Sequence, residues 1–457
     1  MENTKIVIVG ASHGGHESAI ELLQKYSNVD VTIYEAGDFV SFMSCGMELF
    51  LEDQVTTQDD VRNFKPEDII KMGGNVYNNH EVTAIDADKK QVTVKNTING
   101  TSEAVDYDKL ILSSGVTPRS LNLPGNDLEN IYEMRGYDWA TKLKAAMNND
   151  AIQNVVVIGS GYIGIEATEA FTKAGKQVTL LDSMDRPLAT YLDPEMTKYI
   201  EKELESHQVK LGMGVNITSY LGENGKVTAV EADGTQFPAD LVICATGVIP
   251  NTDWLKGTVN LDQRGFIETD PYLRTNLPDV YAIGDAIKPY NIPANQQMPI
   301  ALATTARREA QYVVDHLFEN QASVPFAGVV GSSALSVFDL KFAATGLNSM
   351  TAKRANVSAQ TDFYQDYLRP AYVPVKNGNL PVYVTITYNP LNHQILGGSV
   401  MSPYDVTAQG NVLALATSKK LTLEDLASAD FFFQPGFDRQ WSLLNLAAQN
   451  ALGWERF

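Results

Sequence analysis

Short, almost unbroken apolar runs recur along the chain, each delivered into a turn of small residues. They are Lys5 to Val9 in "KIVIVG", then "KLILSSG", "NVVVIG", "LVICATG" and "VYAIGD". Strands without polar alternation are buried on both faces, as parallel strands are. After the first run come Gly10, Gly14 and Gly15, a helical pattern from Glu17 to Tyr26, and a strand from Val31 to Tyr34 closing on Glu35. The chain then repeats itself with a strand, Gly159, Gly161 and Gly164, a helix, and a strand ending at Asp182. From about Pro325 the pattern changes to the strands "LPVYVTITYNP" and "QILGGSVMS", then to helices in "TAQGNVLALATSKK" and "TLEDLASA". The expected fold is α/β, with two Rossmann-like dinucleotide-binding units and a C-terminal α+β domain.

The chemistry of these turns follows from their geometry. A glycine turn lets backbone N–H groups at a helix N-terminus face a pyrophosphate, and a carboxylate about 20 residues on accepts from ribose hydroxyls. The first unit departs from the full spacing, with Ser12 where the second glycine usually lies. Two buried turns of ordinary α/β domains would have to reproduce the spacing twice, which favours nucleotide binding in both. Asp182 suits a free 2′-hydroxyl and repels a 2′-phosphate, so NADH is expected over NADPH. "YDKLILSSGVTP" and "ADLVICATGVIPN" read as crossing points between domains. Gly284 and Asp285, at the end of a buried strand, present a carboxylate to a polyol.

Composition narrows the partners. The formal charge of −20 disfavours nucleic acid and anionic membrane. The start "MENTKIVIVG" does not read as a signal peptide, and no apolar run approaches the ~18–20 residues of a membrane span. Two cysteines about 200 residues apart give neither a disulfide framework nor a zinc pattern. A reduced, soluble, cytoplasmic protein is expected, with no metal.

Of the two cysteines, Cys244 lies inside a buried strand and reads as core. Cys45, in "SFMSCGMELF", precedes Met47, Phe50 and Leu51 at helical spacing. It should therefore lie at or just before a helix N-terminus, where exposed N–H groups favour a thiolate and lower its pKa. His13 projects from the first glycine turn. His16 reads as a helix-surface residue, and His80, His207, His316 and His393 lack metal-ligand spacing.

Taken together, these residues resemble the pyridine nucleotide-disulfide oxidoreductase family over nearly the whole chain. The resemblance implies a discontinuous FAD domain (residues 1–118 and 250–324), an NADH domain inserted in it (119–249) and a dimerisation domain (325–457). FAD would meet Gly10, Ser12, Gly14 and Glu35 of the first turn, then Ser113, Ser114 and Gly115, and finally Arg135, Asp285 and Ala303. NADH would meet Gly159, Gly161, Ile163, Gly164 and Asp182, with Tyr191, Gly247, Ala301 and Gly331 around it. Tyr162 would cover the flavin until NADH enters, and Glu166 would contact the nicotinamide ribose. Thr305 and Ala334 depart from the family pattern near the nicotinamide side.

Most members hold a C-x₄-C pair beside the flavin, whereas here no second cysteine lies near Cys45. That resembles the branch containing NADH peroxidases, water-forming NADH oxidases and coenzyme A-disulfide reductases. "ASHGGHE", "SFMSCGM", "IALATTARR" and "ADFFFQPGFD" are most similar to the peroxidases. The resemblance implies that Cys45 cycles between thiolate and sulfenic acid and that His13 hydrogen-bonds the peroxide. Arg307 is then either a cation near the peroxide or a surface charge beside Arg308. The expected reaction is NADH + H⁺ + H₂O₂ → NAD⁺ + 2 H₂O, with reduction of O₂ to water as the alternative. A coenzyme A-disulfide reductase and a flavin redox sensor rank below both. The aromatic run in "FFFQPGFDRQW" would be a large exposed patch on a monomer, so a homodimer or homotetramer is expected.

Overall fold

The computed structural model describes residues 3–319 and 324–454. Its first sheet has five parallel strands. Thr4–Val9 lies at the centre, between Lys109–Leu112 on one side and Val29–Tyr34 on the other. Asn75–Tyr77 and Val280–Ala282 form the edges, so this sheet draws on segments far apart in sequence. Ile6, Ile8, Ile33 and Leu110 to Leu112 are wholly inaccessible, the double-sided burial their unbroken apolar pattern foretells.

A second five-stranded sheet repeats the plan. Asn154–Ile158 pairs in parallel with Gln177–Asp182 and with Leu241–Cys244. Helices His13–Lys25 and Tyr162–Lys173 follow the two central strands. The first begins at His13, four residues before Glu17 where the apolar pattern starts, because the glycines of the turn already have helical backbone.

Val116–Pro118 and Val248–Pro250, which continue the two "crossing" segments, pair with each other as a small antiparallel ribbon. The C-terminal part is an antiparallel sheet of five strands, in which Ile395–Ser402 lies between Leu340–Gly346 and Pro381–Tyr388. Helices Thr407–Ser418 and Leu443–Ala451 contribute to its core. Among the described residues no helix is long and apolar enough to cross a membrane.

Candidate active site

In both turns the first glycine has a left-handed backbone, with φ +93° at Gly10 and +103° at Gly159. The helix then packs so closely that a Cβ on Gly164 would lie 1.7 Å from the Gly159 carbonyl oxygen. In the first turn the same position is held by Gly15, whose Cβ would lie 1.8 Å from the Gly10 oxygen. Gly14 instead faces the Ser113 hydroxyl and the Ile283 side chain. The sequence reading therefore singled out Gly14 where the close approach belongs to Gly15. Ser12 stands at φ −87° and its counterpart Gly161 at −75°. Neither needs glycine for its backbone, which explains why the departure is tolerated.

Each unit ties its turn back with its acid. Glu35 accepts from the Ala11 N–H at 2.9 Å, and Asp182 accepts from the Ser160 N–H and hydroxyl at 2.6 Å each. Gly10, Ser12, Glu35, Ser113, Ser114, Gly115 and Arg135 line one cleft of about 370 Å³. Asp285 pairs with Arg135 at 3.2 Å, and burial pushes its carboxyl up against that pairing. The Ser114 hydroxyl is buried and has no partner among the described residues. Positive-φ glycines, a close helix start and an unpaired hydroxyl at one long cleft fit a dinucleotide such as FAD.

The second turn opens toward the C-terminal sheet. Tyr162 stacks on Tyr191 with ring centroids 4.0 Å apart and hydrogen-bonds Ser333 at 2.5 Å. Tyr191 and Gly331 border a small polar cavity of about 50 Å³. Ile163 and Glu166 lie in the first turns of the helix, both half-buried. Gly247, at φ +97°, accepts from the Arg119 N–H beside the ribbon. Ala301 is exposed, and Ala303 begins the helix Ala303–His316 that carries Arg307. Of the departures, Thr305 is buried in that helix and Ala334 is exposed on Ser332–Val337.

Cys45 lies in the turn Ser44–Gly46, immediately before the short helix Met47–Leu51. Residues beside it in sequence (Ser41, Phe42, Ser44) line the large cleft, and Cys45 itself is exposed. Its thiol is nevertheless pushed up, which corrects the expected lowering. Desolvation by the packed protein around it dominates and Glu166 adds to it, outweighing a backbone hydrogen bond and Arg307. A five-residue helix cannot reverse that balance.

His13 is held neutral, its pKa pushed down to about 4 by burial first and then by Arg307 and Arg135. Its Nδ1 is buried without a partner among the described residues. Arg307 thus bears electrostatically on both His13 and Cys45, and its guanidinium is met by His16 and Glu17. Its Nη1 lies 3.6 Å from Glu17.

His16 corrects another expectation. It is fully buried, not a surface residue, and touches Ser41 and Arg307. The effect of two carboxyls was missed, Glu166, which acts on Cys45, and Glu48, which acts on Glu166. Burial and neighbouring carboxylates push Glu166 up to about 8 and Glu48 up to about 7. Cys244 is buried against the Tyr220 hydroxyl at 3.4 Å, as a core residue should be.

The family signature for pyridine nucleotide-disulphide oxidoreductases matches residues 4–310. An NADH oxidase of Enterococcus faecalis is 39% identical over 449 residues, covering 98% of this chain and 99% of that protein. An NADH oxidase of Streptococcus pyogenes is 31% identical, with 98% and 99% covered. Among solved structures, the water-forming NADH oxidase from Lactobacillus brevis bound to NADH is 35% identical. It superposes with a TM-score of 0.94, covering 99% of this chain and 98% of that one.

Proposed function

The chain belongs to the pyridine nucleotide-disulphide oxidoreductase family, and from that premise we propose that it is a water-forming NADH oxidase, 2 NADH + 2 H⁺ + O₂ → 2 NAD⁺ + 2 H₂O. The observation that carries the reading is a single exposed thiol, Cys45, next in sequence to residues that line the cleft of the first nucleotide turn, with the other cysteine buried elsewhere. The names of the similar proteins favour oxygen over peroxide as the oxidant, so the peroxidase expectation gives way to its alternative. Domain limits at residues 118, 249 and 324 go with this reading.

FAD, when bound, takes hydride from NADH and passes electrons to oxygen and to sulfur. Gly10, Ser12 and Glu35 would hold its pyrophosphate and ribose end, and Arg135 and Asp285 its polyol. Asp182 would take the adenosine ribose of NADH, and Tyr162, stacked on Tyr191, would cover the flavin until NADH enters. Cys45 serves the second half of the reaction. The Cys45 sulfur, on giving up its proton, attacks one oxygen of peroxide, the O–O bond breaks, and the departing hydroxide takes up a proton to leave as water; Cys45 is left as a sulfenic acid, which two electrons and two protons return to the thiol with loss of the second water. Neutral His13 donates a hydrogen bond to the leaving oxygen, and Arg307 supplies the positive charge. Peroxide reduction is thereby retained as a step within oxygen reduction.

Stoichiometry tests this. Wild-type protein should consume two NADH per O₂ and release no peroxide. Cys45→Ser should still bind FAD and oxidise NADH, but should consume one NADH per O₂ and release H₂O₂, because a hydroxyl is a far weaker nucleophile. Peroxide-free turnover by Cys45→Ser would refute the role given to the thiol.

A further inference from the structure

His16 takes no part in the chemistry above, yet it is wholly inaccessible and bonded on both ring nitrogens. Nδ1 lies 3.1 Å from the Ser41 hydroxyl, and Nε2 lies 3.2 Å from Nη2 of Arg307. A guanidinium only donates, so Nε2 must accept and the ring proton must sit on Nδ1, on the side of the Ser41 hydroxyl and the Ala11 carbonyl. The ring packs on Phe64 at 5.5 Å and lies 6.0 Å from the ring of His13.

Ser41 carries a second, independent sign of purpose. It is 1% exposed and stands at φ +62°, a left-handed conformation that favours glycine. Its N–H donates to the Ala11 carbonyl at 2.9 Å. Glycine would relax the backbone but would offer His16 no hydroxyl. Such conformations persist where surrounding contacts over-determine them, and they cluster at functional sites.

The other hold on Arg307 is Glu17, at 3.6 Å, longer than a strong charge-assisted bond. The charged and titratable groups facing His16 are therefore His13 from its own helix and Arg307 from Ala303–His316, with Glu17 paired to the far side of that arginine. We propose that His16 is a positioning residue: its neutral ring, oriented by Ser41, holds the Arg307 guanidinium in place beside Cys45 and His13. This rests on the reading of Cys45 as the redox thiol.

The test is the pH profile of Cys45 alkylation by iodoacetamide in the flavin-bearing protein, reduced anaerobically with NADH, with the label located by peptide mass. His16→Phe keeps a ring against Phe64 but removes the acceptor. Its profile should move to higher pH by about half to one unit, slowing alkylation at neutral pH roughly threefold to tenfold. His16→Gln can place a carbonyl where Nε2 stood and should restore the wild-type profile. An unmoved profile in His16→Phe overturns the proposal, and so does a His16→Gln profile shifted as far as that of His16→Phe. If His16→Phe does not accumulate as a folded flavoprotein, His16→Met makes the same comparison. Should Cys45→Ser prove fully active, the reading of Cys45 fails, while the alkylation profiles still decide whether His16 positions Arg307.

Discussion

Gly15→Ala should cripple the first nucleotide turn while Gly14→Ala leaves it nearly intact. At Gly15 the new Cβ would sit 1.8 Å from the Gly10 carbonyl oxygen and 2.9 Å from its carbon, against 3.4 Å for ordinary contact. Helix and strand must therefore part by roughly 1.6 Å at that point. Both opposing atoms are backbone, so no side-chain rotation relieves the clash. Overpacking of this kind costs about 1–3 kcal/mol, and here it falls on the turn that would face the FAD pyrophosphate. At Gly14 the Cβ would meet the Ser113 hydroxyl at 2.8 Å and the Ile283 δ-methyl at 3.0 Å, both of which can turn aside. The assay is visible flavin absorbance relative to protein absorbance after purification, followed by thermal unfolding. Gly15→Ala should emerge flavin-poor and melt earlier, and Gly14→Ala should stay close to wild type. A Gly15→Ala protein with full flavin and an unchanged Tm would refute the packing argument, and a worse defect in Gly14→Ala would return the role to that residue.

Asp182→Asn keeps an acceptor for the Ser160 N–H but removes the charge facing a 2′-phosphate, so the NADH over NADPH preference in kcat/KM should fall roughly tenfold, a loss of about 1.4 kcal/mol of discrimination; an unchanged ratio would contradict the role of the carboxylate. The histidines set an acid limit. His13 and His16 have folded pKa values of about 4 and about 3, below the usual 6.5. The unfolded chain therefore binds more protons, and the stability they contribute, complete above pH 6.5, is lost as pH falls through that window. Thermal midpoints measured from pH 7 to pH 4 should fall less steeply in His16→Gln than in wild type, and parallel curves would count against it. Phe432 and Phe437, exposed at 67% and 61% in the single chain, should be covered in a dimer or tetramer; light scattering giving a monomer at micromolar concentration would exclude that.

Much of the architecture was legible because parallel strands buried on both faces leave an unmistakable apolar signature. Leu110 to Leu112 and Val155 to Ile158 could hardly lie elsewhere. What escaped was only partly decided through space. Gly14 and Gly15 stand side by side, and the offset of five from Gly159 to Gly164 already pointed to Gly15, five residues after Gly10, as the one a methyl would exclude. His16 was misplaced because the helix was begun too late. Counted from His13, it shares a buried face with Ala19 and Ile20 at i+3 and i+4, a spacing that could have been noticed. The Cys45 thiol was expected to be acidic because a helix start is visible in sequence, whereas the packed surroundings and Glu166 are not. No motif separates oxygen from peroxide, since both readings use the same cysteine, histidine and arginine.

The small ribbon of Val116–Pro118 and Val248–Pro250 bears on how such a protein could be rebuilt. The strand leading into the second nucleotide unit and the strand leading out of it are paired partners, Val248 opposite Pro118 and Pro250 opposite Val116. The intervening 130 or so residues thus leave and rejoin the chain at one doorway. A segment whose ends meet can be exchanged without stretching its host, because the host feels only the distance between the two ends. Coenzyme preference is in that sense a cartridge: a homologous insert cut at this doorway should carry its own selectivity into the recipient and leave the thiol and the histidines where they stand, provided that it keeps an arginine at position 135 to meet Asp285 across the flavin cleft.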